Sequence, residues 1–380
     1  MSILAQAGAA LGSGLLRTRF WLKQRTGTLG PLDIIPYRGY GTRDEVHLMG
    51  RVVEHKNVRP AQEEDSFLQN MTNMYRRFTR MPIPGALVRA GVDGRAREVR
   101  TDGQGYFRLS LSPFSGPVNS LWQHLPCRLL EPLPRQDVVQ STGEILVPPE
   151  GAQHVVISDI DDTVLPTKAT SLLRMLLSLT SGNARTRLPF PGVAAFYRAL
   201  HLGPDESPLN PVLYVSRGPW NLYELLSEFF NLHDIPVGPL LYLRDWGLSR
   251  EGLRPAAPRG HKYRLIASML RAYDDLPFIL IGDSGQKDPE IYTEVIRDFP
   301  GRIQAVYIRE VTFDPDRMQG VEKLAKKAAE SGAAMVLAAD TKEMAAHAAD
   351  KGWIEKRRLA DIAIEKIVGE EPPDILGKKE

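Results

Sequence analysis

From residue 152 onward, short continuous apolar runs alternate with helical stretches, and this alternation limits the folds that the chain can adopt. Five of the runs are AQHVVISDID (152–161), LNPVLYVSRG (209–218), GPLLYLRD (238–245), LPFILIGD (276–283) and RIQAVYIRE (302–310). AAMVLAAD (333–340) is a candidate sixth strand. Apolar strands joined by helices predict a parallel sheet covered on both faces. The expected fold class of this region is therefore α/β.

Acidic and hydroxyl side chains end three of these runs at the same relative position. Asp159 and Asp161 follow the first run, Ser216 the second and Asp283 the fourth, with Asp288 shortly beyond. Because the carboxyl ends of parallel strands form one edge of the sheet, we expect these side chains to meet in a ligand-binding crevice. Carboxylates that close need a cation to stay ionised. Oxygen ligands beside a substrate phosphate suit Mg²⁺, so the pattern predicts magnesium-dependent phosphoryl transfer.

The motifs at these positions resemble those of the haloacid dehalogenase superfamily of phosphohydrolases. DIDDT (159–163) matches the first motif, DxDxT, and GDSGQKD (282–288) matches the fourth. Ser216 at the end of LYVS fits the second motif, and Lys262 in GHKYRL fits the third.

Longer strings are similar to the actin-patch-protein family of phosphatidate phosphatases, which occurs in fungi and bacteria. They are SDIDDTV, YVSRGPW, HKY and ILIGDSGQKDPEIY, and the similarity covers about residues 155–310. The chain departs from the expected pattern at Arg217-Gly218, where small polar residues would follow the serine. The resemblance is to a bacterial-type member of the family.

The resemblance implies a role for each matched residue. Asp159 would be the nucleophile and form an aspartyl-phosphate, while Asp161 would protonate the leaving group and then activate water. Ser216 would bind phosphoryl oxygens, and Lys262 would screen charge. The Mg²⁺ site would combine Asp159, the main-chain carbonyl of Asp161, and Asp283.

The sequence leaves two alternatives open for each of four residues and gives a fifth, Thr163, a supporting role. Asp288 is either a metal contact or a helix N-cap before a proline at the first helical position. The resemblance implies that Thr163 steadies the loop beside the substrate. Lys168, Arg217 and Arg244 are either contacts for a phosphate or head group, or ordinary surface charges.

The resemblance also implies a domain plan. Residues 151–370 would form a haloacid-dehalogenase-like Rossmannoid sheet, with helices on both faces and a lid insertion at about 165–210. Within the insertion, SLLRMLLSL (171–179) is apolar nearly all round, which suits either burial in the core or contact with lipid.

The sequence before residue 151 has a different character. Short β runs and turn signals over 41–150 predict a β-rich accessory domain. The run GALVRA…VRTDGQGYFRL resembles small β-sandwich modules of the carboxypeptidase-regulatory or transthyretin-like type. Residues 1–40 are expected to be a tail, a packing helix or an amphipathic helix, because the apolar residues 1–16 precede a group of cations.

The composition of the chain bears on whether it binds nucleic acid and on the cellular compartment in which it works. The chain has 48 Lys and Arg against 46 Asp and Glu, a net charge of +2, so no global basic field favours nucleic acid. A single cysteine, Cys127, cannot form an internal disulfide, which favours the cytoplasm. Peripheral attachment to a membrane stays open.

The acidic strand ends predict a Mg²⁺-dependent phosphatase, and the family resemblance implies a phosphoric monoester hydrolase that converts phosphatidate to diacylglycerol. Two alternatives remain: the same chemistry on a soluble phosphomonoester or phosphoprotein, and a non-catalytic protein that docks to a membrane or a partner. The presence of every expected catalytic residue argues against docking alone. The sequence contains no Walker A loop, GxSxG elbow or HExxH zinc motif that would indicate another mechanism.

Overall fold

The computed structural model describes residues 16, 18–55, 80–92, 94–112, 118, 120–132, 138–161, 163–164, 190–244, 260–312 and 314–370. The chain divides into two compact units. One comprises Met1–Pro149, Pro219–Tyr223 and Arg244–Ala256, and the other comprises Glu150–Gly218, Glu224–Leu243 and Ala257–Glu380.

Hydrogen bonds connect the strands of the first unit into one sheet. Its described strands are β1 (Leu32–Pro36), β2 (Gly39–Gly41), β3 (Val46–Glu54), β4 (Leu87–Ala90), β5 (Arg97–Arg100), β6 (Tyr106–Leu111), β7 (Trp122–Glu131) and β8 (Gln140–Leu146). Their order is β1-β3-β2-β8-β7-β4-β5, with β6 paired to β3. The sheet begins at Leu32, inside the range 1–40 that the sequence assigns to a tail or helix. Leu32 and Ile34 are part of the sheet because their side chains are buried in the core of this unit.

A short helix precedes this sheet. Residues 18–26 are helical, and Phe20 packs against the apolar core of the first unit. The Lys23 ammonium lies 2.8 Å from both carboxylate oxygens of Glu54. The described residues therefore form a packing helix, one of the alternatives for this region, while residues 1–15 lie outside the described part of the chain.

The second unit contains a sheet built from the apolar runs. Its described strands are β9 (Val155–Asp159), β10 (Val212–Pro219), β11 (Leu240–Arg244), β12 (Phe278–Asp283), β13 (Ile303–Arg309) and β14 (Ala334–Ala338). Their order is β11-β10-β9-β12-β13-β14. The pairs β9–β10, β9–β12, β12–β13 and β13–β14 are parallel. The positions of the five predicted strands are confirmed, and the candidate sixth extends the same sheet.

Helices alternate with these strands along the chain. They are α1 (Val193–Leu202), α2 (Tyr223–Leu232), α3 (His261–Ala272), α4 (Asp288–Asp298), α5 (Pro315–Glu330), α6 (Thr341–Asp350) and α7 (Arg358–Glu370). A 3₁₀ turn, Trp220–Leu222, comes directly before α2. None of the helices in the described ranges is long and apolar enough to cross a membrane.

The described part of the predicted lid, 190–210, includes a helix that packs on the sheet. The Tyr197 hydroxyl of α1 lies 2.6 Å from Ser158 Oγ in β9. The ring of Phe196 meets that of Tyr307 in β13 with 5.7 Å between centroids. Residues 165–189, with Lys168 and the apolar segment 171–179, lie outside the described residues, so the lid there stays a prediction.

His154, which comes just before β9, gives the second unit a pH-dependent stability. Its side chain is buried, and Nε2 lies 3.0 Å from the Leu200 carbonyl oxygen in α1. Burial lowers the pKa of His154 to about 4, although the bond to Leu200 opposes the shift. Since an unfolded histidine titrates near pH 6.5, the unfolded state takes up the proton first as the pH falls. The stabilisation by neutral His154 is therefore complete above about pH 6.5 and is lost towards pH 4.

We expect His154→Gln, which keeps an N–H donor for Leu200, to flatten this pH dependence. Over the interval from pH 6.5 to pH 4 the wild-type free energy of unfolding should fall by about 3 kcal/mol from His154 alone. Urea unfolding at a series of pH values measures the difference. His124→Gln, at an exposed histidine, is the matched control. Parallel profiles for wild type and His154→Gln would contradict the prediction.

Candidate active site

Asp159, Ser216 and Asp283 lie on adjacent strands at the carboxyl edge of the parallel sheet. Asp159 ends β9 and pairs with Val215 of β10, so Ser216 is the next residue beyond that pair. Strand β12 pairs with β9 on its other side and ends at Asp283. All three side chains are buried. The predicted convergence of these residues at one sheet edge is confirmed.

A tight loop after β12 brings the start of α4 back against the strand. Gly282 permits this approach, because a Cβ at that position would lie only 2.8 Å from Asp288 Cβ. Asp288 Oδ2 accepts a hydrogen bond from the main-chain N–H of Asp283 at 3.3 Å. From α5, Arg317 Nε donates to the Ser284 carbonyl oxygen at 2.7 Å. Hydrogen bonds to Asp288 in α4 and to Arg317 in α5 therefore hold this loop in place.

Lys262, the second residue of α3, lies between two buried carboxylates. Its Nζ is 3.0 Å from Asp159 Oδ1 and 2.5 Å from Asp288 Oδ1. Burial opposes the charged ammonium, but Asp159 and Asp288 hold the pKa of Lys262 above its ordinary value. Lys262 therefore supplies a permanent positive charge beside Asp159, where the sequence places it.

Burial and neighbouring charges act on the Asp159 carboxyl in opposite directions. Burial raises the pKa of the Asp159 carboxyl; Lys262 lowers it, while Asp288 and Asp161 raise it further by repulsion. A carboxylate nucleophile has to be ionised. A cation at this edge of the sheet would favour that ionised form.

Three oxygens at this edge converge on one point. They are Asp159 Oδ2, the main-chain oxygen of Asp161 and Asp283 Oδ2, which lie 3.2, 3.1 and 3.0 Å from Gln286 Nε2. Two carboxylate oxygens and a carbonyl oxygen form a donor set that suits Mg²⁺. The residues that the sequence assigns to the metal therefore fit a hard divalent cation.

Gln286 is the residue that sequence reasoning missed. It lies within GDSGQKD, between the acidic residues Asp283 and Asp288. Its main-chain N–H donates to Asp283 Oδ1 at 2.8 Å, while its side chain reaches the three converging oxygens. Its position within the motif was a signal that it lies near the site. Glutamine carries no charge, however, so its residue type did not indicate a metal site.

Asp288 belongs to the acidic cluster but faces the lysine. One oxygen each of Asp159, Asp283 and Asp288 lie within 4.8 Å of one another, a spacing that a metal site allows. Both Asp288 oxygens are nevertheless engaged, Oδ1 by Lys262 and Oδ2 by the N–H of Asp283. The N-cap position of α4 is Lys287, so Asp288 does not serve as the N-cap that the sequence offered as an alternative. We interpret Asp288 as the residue that positions Lys262.

Of the residues predicted to contact the substrate, the structure describes the side chain of Thr163 but not those of the three basic residues. Thr163 is buried, and its Oγ1 has no hydrogen-bond partner among the described residues. Arg217 and Arg244 occupy positions in β10 and β11, but their side chains lie outside the description, as does the whole of Lys168. Their substrate roles stay predictions.

Residues 154–310 match the family described as "Phosphatidate phosphatase APP1, catalytic domain". An uncharacterised protein of Schizosaccharomyces pombe is 34% identical over 161 residues, which are 42% of this chain and 25% of that protein. The phosphatidate phosphatase APP1 of Saccharomyces cerevisiae is 31% identical over 154 residues, which are 40% of this chain and 25% of the yeast protein. The chain thus covers about a quarter of the length of these relatives.

Similarity to solved structures is weaker. A carbohydrate acetylesterase from Xanthomonas citri shares 15% identity, with a TM-score of 0.25 over 77% of this chain and 72% of that one. The matched family segment, by contrast, contains the whole cluster from Asp159 to Asp288.

Proposed function

We propose that this protein is a Mg²⁺-dependent phosphatase that converts phosphatidate to diacylglycerol through an aspartyl-phosphate on Asp159. One observation carries the proposal: the buried Asp159, 3.0 Å from Lys262, lies beside three converging oxygens within the segment that matches the phosphatidate phosphatase catalytic domain. The comparisons support a phosphoric monoester hydrolase, and the yeast relative supports the lipid substrate. The parallel sheet with acidic strand ends supports a haloacid-dehalogenase-like arrangement.

In the proposed reaction a carboxylate oxygen of Asp159 attacks phosphorus, and the bond from phosphorus to the diacylglycerol oxygen breaks. Asp161 gives its proton to that leaving oxygen. Asp161 then removes a proton from water, which attacks the aspartyl-phosphate, so that inorganic phosphate leaves and Asp159 is restored. Ser216 donates to a phosphoryl oxygen, and Lys262 balances the negative charge that collects there.

Asp159, Asp161 and Asp283 would hold the Mg²⁺, through the oxygens that converge on Gln286 Nε2. When bound, the cation supplies positive charge that stabilises the phosphoryl oxygens and the ionised nucleophile. Asp288 has a separate task, because its hydrogen bond fixes Lys262 beside Asp159. A lipid substrate also requires peripheral contact with a membrane surface, which we include in the proposal.

A hydrolysis panel tests the proposal. Phosphatidate in mixed micelles and a soluble phosphomonoester are each supplied to the full chain with Mg²⁺, with EDTA, and with EDTA followed by excess Mg²⁺. We expect phosphate and diacylglycerol from phosphatidate, no product with EDTA, and recovery with excess Mg²⁺. A clear preference for the soluble ester would favour the first alternative, and no hydrolysis of either substrate would favour a docking protein.

A further inference from the structure

We propose that the side-chain amide of Gln286 and a divalent cation compete for the same three oxygen atoms, so that Gln286 sets the affinity of the site for Mg²⁺. This inference rests on the cation site of the proposed function. It concerns a residue to which neither the motif assignments nor the proposed reaction gives a role.

The Gln286 amide nitrogen lies at the point on which the three oxygens converge. Gln286 Nε2 lies at nearly equal distances, 3.0 to 3.2 Å, from Asp283 Oδ2, the Asp161 carbonyl oxygen and Asp159 Oδ2. The amide presents its nitrogen to all three oxygens, as it must toward a carbonyl oxygen, which can only accept a hydrogen bond. A cation held by all three oxygens would lie at that same centre. The amide and the cation therefore cannot occupy it together.

The amide satisfies the hydrogen-bonding capacity of the three oxygens only in part. An –NH₂ group has two N–H bonds, so it cannot give each of the three oxygens a separate one. It is also neutral, whereas two of the oxygens belong to buried carboxyl groups. A divalent cation would contact all three oxygens and balance both carboxylates. We therefore expect the cation to displace the amide, with an affinity reduced by the hydrogen bonds that Gln286 gives up.

The loop is built so that the side chain can leave while its main chain stays in place. The Gln286 N–H donates to Asp283 Oδ1, and its carbonyl oxygen accepts from the Arg317 guanidinium. The side chain itself is only half-buried, and its neighbours Gly285 and Lys287 are exposed. Rotation about side-chain torsions can therefore move the amide outward while the main-chain bond from Gln286 to Asp283 Oδ1 stays in place.

Gln286→Ala tests the competition by a measurement that needs no substrate. Titration calorimetry of the full chain with Mg²⁺ should give a dissociation constant about tenfold lower than that of the wild type, the scale of one or two hydrogen bonds. In EDTA the variant should melt at a lower temperature, because the three oxygens lose their donor. The rise in melting temperature on adding Mg²⁺ should accordingly be larger. Gln319→Ala, at an exposed glutamine of α5, is the matched control and should behave as wild type.

The possible outcomes separate this inference from the proposed function. Mg²⁺ binding that is equal or weaker in Gln286→Ala overturns the competition and leaves the cation site intact. No binding by any of the proteins overturns the cation site and the competition together. Gln286→Asn, which keeps the amide but is one methylene shorter, is a second variant in case alanine impairs folding. Tighter binding in either folded variant supports the competition.

Discussion

Asp159→Asn is expected to reduce turnover by at least about 10³-fold while the protein stays folded. An amide oxygen cannot replace the carboxylate as a nucleophile toward phosphorus, so the first chemical step is lost. Folding should survive, because asparagine has nearly the same shape and still offers an oxygen to Lys262. It also relieves the repulsion from Asp161 and Asp288 that acts on this buried carboxyl group.

Steady-state hydrolysis of phosphatidate and a thermal melt measure the two halves of this prediction. Asp274→Asn, the same substitution at an exposed aspartate, should keep full turnover and shows what the change does outside the site. If purified Asp159→Asn, free of wild-type enzyme, still turns over at a near-normal rate, Asp159 is not the nucleophile.

The sheet and the convergence of the acidic residues could be predicted from the sequence because both follow from local patterns and one topological rule. Strands that are buried on both faces are mostly continuous apolar runs, and β12 (FILIGD), which is buried at every position, is apolar up to its final aspartate. The carboxyl ends of parallel strands meet at one edge whatever the details of the packing. This rule alone predicts that Asp159 and Asp283 lie close together.

The two alternatives for Asp288 could not be separated in the same way. A metal ligand and a helix N-cap both belong at the beginning of α4, so position alone supports each equally. The deciding contact comes from Lys262 Nζ, on a different helix and 26 residues away in the chain. A contact of that kind depends on how α3 packs against α4, which the sequence pattern does not specify.

Neither strand β1 nor the role of Gln286 could be predicted from the sequence, and the reasons differ. The five residues of β1 give too short a pattern, and the strand is defined by antiparallel pairing with β3, from Leu32 opposite Glu54 to Pro36 opposite Gly50. Gln286 is in a motif that the sequence identifies, but an uncharged polar residue there is ordinary. Its role depends on three oxygens that the fold brings together.

Asp283→Ala and Asp288→Ala are expected to separate cation binding from the positioning of the lysine. Asp283 directs Oδ2 to the centre where the cation would bind, and its Oδ1 anchors the Gln286 main chain. Its loss should raise the Mg²⁺ concentration for half-maximal activity by more than about 100-fold, beyond the effect of a typical outer-shell partner. Asp288→Ala should raise that concentration only a few-fold.

The same two variants should differ in a second measurement. With saturating Mg²⁺, Asp288→Ala should turn over about 10- to 100-fold more slowly than wild type, because Lys262 loses the partner that lies 2.5 Å from its ammonium. Titration calorimetry without substrate should detect Mg²⁺ binding to Asp288→Ala and not to Asp283→Ala, with Asp274→Ala as the exposed control. Equal loss of binding in both variants would make Asp288 a ligand of the cation. Unchanged turnover in Asp288→Ala would instead show that Asp159 alone is enough to position Lys262.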